Sequence, residues 1–194
     1  MQAVGPSTQD AQSTAGTRAA FRATMRKLWE DHITWTRLFI VSDAAALADL
    51  GPTTDRLLRN QQDIGDAIKP FYGEAAGRRL TALLREHILI AADILGAAKT
   101  GNSSGVDAAS ARWYANADAI AAFLGSANPR NWPLEEMRTM MRSHLDLTLG
   151  EAVARLNGDF TNDIAFYEQV HDQILHMADM LSAGIINQFP QRLH

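Results

Sequence analysis

Apolar residues recur along this chain at alternating intervals of three and four, and no segment shows the period-two alternation of a strand. From about Thr17 to Leu50, the positions Leu28, His32, Trp35, Phe39, Ser42 and Ala46 fall on one stripe, as on a core-facing helix. Gly51-Pro52 stops that pattern, and Thr53 or Thr54 caps a second helix that carries Leu57, Gln61, Ile64 and Ile68 inward as far as Pro70 and Gly73. A third helix to about Lys99 puts Leu80, Leu84, His87, Ala91, Ile94 and Ala98 on its inner face. After the loop Gly101 to Gly105, a fourth helix starts near Ser104 and buries Trp113, Ala117, Ile120 and Leu124. Pro133, Glu135 and Glu136 open a fifth, with Met137, Met141, His144, Thr148 and Glu151 on its stripe. The last, about 162–187, buries Tyr167, His171, Ile174, Ala178, Leu181 and Ile185 before Phe189-Pro190 ends it.

The fold class expected is therefore all-α: six helices as three tandem antiparallel hairpins, spanning about 17–73, 74–129 and 131–190. Residues 1–16 are small and polar and are expected to form a disordered tail. Each hairpin offers a single apolar stripe, so the three must share one core within a single domain, 17–190.

One phrase recurs in step with the hairpins. Leu28-Trp29-Glu30-Asp31-His32-Ile33 returns as Leu83-Leu84-Arg85-Glu86-His87-Ile88 and as Met140-Met141-Arg142-Ser143-His144-Leu145, with the histidines 55 and 57 residues apart. A fainter echo links Asn60-Gln61-Gln62-Asp63-Ile64 to Asn116-Ala117-Asp118-Ala119-Ile120. Asn and Asp are poor residues for a helix interior, so these are expected to hold the imidazole of the facing helix or to lie on a solvated face.

Composition narrows the function classes. With 46% apolar and 21% charged residues and a formal charge of −4, the chain lacks the basic footprint of a nucleic-acid binder. No apolar run is long enough for a membrane span, and no signal peptide is read, so a cytoplasmic location is expected. The absence of cysteine removes thiolate metal sites and a cysteine nucleophile. There is no phosphate loop, nucleophile elbow or His-Glu-x-x-His helix, and no residue is assigned a catalytic role.

What remains is His32, His87 and His144 on core positions, with His171 and Glu168 approaching from the sixth helix. One reading is a satisfied core histidine that recurs with its hairpin. The other is an interior site for a divalent transition metal, Fe, Zn or Ni, held by His32, His87, His144, His171 and Glu168. Arg37 is expected to pair with an acid such as Asp63 or to bind an anionic ligand together with the histidines. Trp29 and Phe71-Tyr72 are the aromatics that would serve an exposed partner surface.

In architecture the chain resembles ferritin-like, haemerythrin-like and DinB-like bundles, but their ligand motifs are not matched. Glu-x-x-His occurs once, at Glu168 and His171, and no core histidine has its partner four residues on. The phrases Glu30 to Arg37, Pro70 to Gly73 and Trp113 to Asp118 also resemble a group of bacterial helical proteins without a settled activity. The leading functional expectation is a binding or assembly module, with a homo-oligomer or protein partner, and structural core histidines. The alternative is a metal-binding bundle with oxygen-binding or hydrolytic chemistry.

Overall fold

The computed structural model describes residues 8–193. Its helices are α1 (Thr8–Ala44), α2 (Leu50–Tyr72), α3 (Glu74–Lys99), α4 (Ser103–Ala127), α5 (Leu134–Leu156) and α6 (Phe160–Gln188), followed by a short 3-10 turn, Pro190–Arg192. No strand occurs among these residues, and none of the helices is long and apolar enough to cross a membrane. Residues 1–7 of the expected tail lie outside the described residues, whereas 8–16 form the start of α1.

The joints follow from local chemistry. α1 ends at Ala44, six positions before the expected Leu50, at a turn that places Ala46 at φ +50°, with Leu47 N–H donating to Ser42 C=O at 2.9 Å. Gly51-Pro52 then falls in the first turn of α2, where a proline costs no hydrogen bond. Between α2 and α3 a single residue, Gly73, turns the chain at φ +86°, a conformation that only glycine adopts cheaply. The following hairpin is close enough that Gly65 and Gly77 face each other across the crossing: a β-carbon on Gly65 would lie 2.7 Å from the Gly77 carbonyl oxygen. Asn102 caps α4 by accepting the Gly105 N–H, in place of the expected Ser104, and Asp159 caps α6 by accepting that of Asn162.

Each helix packs against the next, and α6 returns to pack on α1, so the six-helix bundle closes on itself. α1 also touches α3 and α5, which brings the odd-numbered helices to the middle. The buried side chains form two clusters. The larger contains Met25, Trp29, Ile33, Leu84, Trp113, Ile120, Leu145, Ile174 and Leu181; the smaller contains Phe39, Ile40, Leu57, Ile88, Leu95 and Ala152. His32 is flanked on α1 by Trp29 and Ile33 of the larger and by Phe39 and Ile40 of the smaller. Trp29 is 4% exposed, and Phe71 and Tyr72 are partly buried against the larger cluster. Trp35 is half-buried under the Arg56 guanidinium, one step off its expected core position.

Candidate functional site

The three histidines meet. His32 and His144 have ring centres 5.8 Å apart, and His87 lies 6.3 Å from His144 with the rings nearly parallel. All three are buried, at 3%, 3% and 4% exposure. Their positions come from the core stripes of α1, α3 and α5, which the bundle turns toward one another.

Each imidazole is held in the same way. Nδ1 of His32, His87 and His144 lies 3.1 Å from the side-chain amide oxygen of Gln61, Asn116 and Gln173, in every case 29 residues further along the chain. The amide orientation is set by what its NH2 group does. Gln61 Nε2 donates to Leu57 C=O, Asn116 Nδ2 to Leu83 C=O, and Gln173 Nε2 to Met140 C=O. In the first hairpin the carbonyl one turn before the histidine, Leu28, is taken by the neighbouring Asn60. An amide oxygen only accepts, so each Nδ1 carries the proton and donates it. Each Nε2 is then left with a lone pair, and no group among the described residues bonds it.

Burial keeps the rings neutral. It lowers His87 to about 3 and His144 to about 4, and the nearby His144 contributes to the shift of His87. His32 is lowered well below its ordinary value, first by burial and then by His144 and His87.

Beside the three rings lies a cavity of about 30 Å³. It is bordered by the three imidazoles and by all six buried residues of the smaller apolar cluster. Thr36 and Thr148 also border it, but their hydroxyls donate back to the carbonyls of His32 and His144. The Trp113 indole N–H donates to His87 C=O. Among the described residues, the free polar valences of the side chains that border it are therefore the Nε2 lone pairs of the three imidazoles.

His171 and Glu168 do not join the trio. His171 is one step off the buried face of α6, which runs through Val170, Ile174, Met177 and Leu181, and its Nε2 lies 3.1 Å from Glu30 on the α1–α6 flank. Glu168 is exposed in the same surface hollow. The stripe read from Tyr167 and His171 was rotated by about 100°, one residue of helix. Among the described residues, no set of three or more His, Asp or Glu side chains is placed to hold a metal ion as it stands.

Arg37 has a different partner from the expected Asp63. Its guanidinium bridges Glu151 at 2.9 Å and both carboxylate oxygens of Asp163, and Arg155 reaches Asp163 at 3.4 Å. Asp163 is fully buried, and Tyr167 lies under the Arg37 guanidinium. Burial raises Glu151 to about 7 against the pull of Arg37. Asp63 instead lies 3.7 Å from Arg56 on the outside of α2. Glu151 follows Thr148 and His144 on the buried face of α5, so the charged cluster lies along the bundle axis from the histidines.

Two features escaped the sequence reading. Gln173 has no counterpart in the Asn and Asp echo, because the constant is a spacing of 29 residues to any side-chain amide. Asp163 stands next to the start of α6, where an acid is routine, and nothing local marks its pairing with α1. No protein family, curated protein or solved structure matches this chain.

Proposed function

We propose that this protein is a metal-binding helical bundle whose site is the chamber between His32, His87 and His144, with the Nε2 atoms as ligands to a divalent transition ion. The observation that carries the reading is the shared tautomer. Three neutral imidazoles, each fixed through Nδ1–H by a side-chain amide, border one cavity, and each keeps an unprotonated Nε2 that would serve an ion there. An oxygen on the far ring nitrogen is the usual way in which a metal-ligating histidine is oriented. Metal–nitrogen bonds of about 2.1 Å would require the three rings to move closer together than they are without an ion.

The surroundings set further terms. Arg37 and Arg155 already offset Glu151 and Asp163, so the ion's two charges have no carboxylate left to balance them. It is therefore taken up with hydroxide or another small anion, because a bare charge in an apolar interior is costly. Arg37 serves this reading as a structural cation, and neither His171 nor Glu168 is a ligand.

Protein purified without a nickel column and stripped with a chelator should take up one equivalent of Zn(II), Co(II) or Fe(II). At a free-ion concentration 100 times the dissociation constant it should gain about 2.7 kcal/mol of stability. His144→Ala should abolish the gain, and Gln173→Ala should weaken binding by about 10- to 100-fold. A stripped protein that neither binds these ions nor is stabilised by them would end this reading.

A further inference from the structure

The cavity does not stop at the imidazoles. Away from them its wall is Phe39, Ile40, Leu57, Ile88, Ile94 and Leu95, which offer neither a hydrogen-bond donor nor an acceptor. The hydroxyl and indole groups at its edge are spent on backbone carbonyls. Water needs about three partners to stay in a buried site, and the free acceptors here belong to the imidazoles alone, so the apolar part of the wall favours apolar atoms and small molecules. At about 30 Å³ the space suits a molecule of two or three heavy atoms. A charged or strongly hydrogen-bonding occupant would lose its solvation against this wall without compensation.

We propose that this apolar lobe is a binding site for a small uncharged gas molecule, of which dioxygen is the type, held next to the three imidazole nitrogens. The lobe deepens the metal reading, because an ion held by those nitrogens would share one cavity with the gas. The lobe itself needs no metal. No covalent or redox step is part of the proposal; it concerns occupancy alone.

Dioxygen is its own probe, since its unpaired electrons speed the relaxation of nearby protons. The test compares methyl relaxation in the metal-free protein under dioxygen and under nitrogen. The methyls of Ile40, Leu57, Ile88, Ile94 and Leu95 should relax several-fold faster under dioxygen. Ile120 and Ile174, equally buried but outside the cavity, should change much less. Ala152→Leu fills the lobe from α5 and should remove the difference, and Ala91→Ile fills it from α3 should the first variant not fold. Equal relaxation inside and outside the cavity, or an effect unchanged by filling in a folded variant, would overturn the proposal. The outcome is separable from the metal reading. Gas occupancy without metal uptake leaves the lobe and removes the ion; metal uptake without gas occupancy does the reverse.

Discussion

At the scale of single residues, the interior is a set of groups whose charge states burial has displaced. His32, His87 and His144 are lowered, so the native protein excludes protons that the unfolded chain accepts below its ordinary histidine value. Such groups contribute nothing at neutral pH and destabilise the fold as the pH falls from about 6.5 toward 4. Glu151 works in the opposite sense. Raised to about 7, it holds a proton that the unfolded chain has lost, so it favours the fold on acidification down to the ordinary carboxylate value. Near pH 5 the unfolded state thus binds three protons more on the histidines and one fewer on the glutamate. Unfolding free energy should fall by about 2.7 kcal/mol per pH unit there. Denaturant titrations at several pH values would measure this. Glu151→Gln should steepen the slope by about 1.4 kcal/mol per pH unit, and a slope unchanged in that variant would contradict the assignment. Arg37→Ala leaves the fully buried Asp163 with Arg155 at 3.4 Å as its remaining cation among the described residues and should cost on the order of 3–5 kcal/mol. Glu151→Gln still accepts from Arg37 and should cost less than about 1.5 kcal/mol at neutral pH.

At the scale of the elements, the helices were legible because their stripes are long and their punctuation is strong. The type and order of all six follow from the three-four spacing, and Gly73, Gly101 and Gly158 mark three of the five joints with positive φ. What failed was rotation by one residue. α1 buries Trp29 and Ile33 together with His32, giving a wide face from which the narrow stripe through Leu28 and Trp35 picked one edge. The same slip put Tyr167 and His171 inward on α6. A stripe states that a helix is amphipathic; the neighbours on both sides decide how wide its buried face is. The α2–α3 crossing gives a direct test of this level. Gly65→Ala would place its methyl 2.0 Å from the Thr81 hydroxyl and 2.7 Å from a backbone oxygen, so it should cost about 1–3 kcal/mol by prising the helices apart. Gly96→Ala on α3 meets nothing within 4 Å and should stabilise by about 0.5–1 kcal/mol. Thermal unfolding of the two variants should shift in opposite directions.

For the whole molecule, closure of α6 onto α1 turns three similar hairpins into one interior with the odd helices at its middle. That is why three core histidines, each unremarkable on its own helix, become neighbours. The sequence marks each of them through the recurrent phrase, and it marks two of the clasping amides, Gln61 on its inward stripe and Asn116 in the echo. It could not show that the rings converge, because that depends on how the hairpins close, nor that an apolar cavity remains beside them. The account therefore rests on the state of six ring nitrogens in those three residues. Long-range proton–nitrogen NMR of the imidazoles reports that state directly. Metal-free protein at neutral pH should show His32, His87 and His144 as Nδ1–H tautomers with unprotonated Nε2, and they should stay so as the pH falls below the ordinary histidine value. Added zinc should move the three Nε2 signals together and leave each Nδ1 proton in place. Nε2–H tautomers, or three rings that protonate near the ordinary histidine value, would contradict the account.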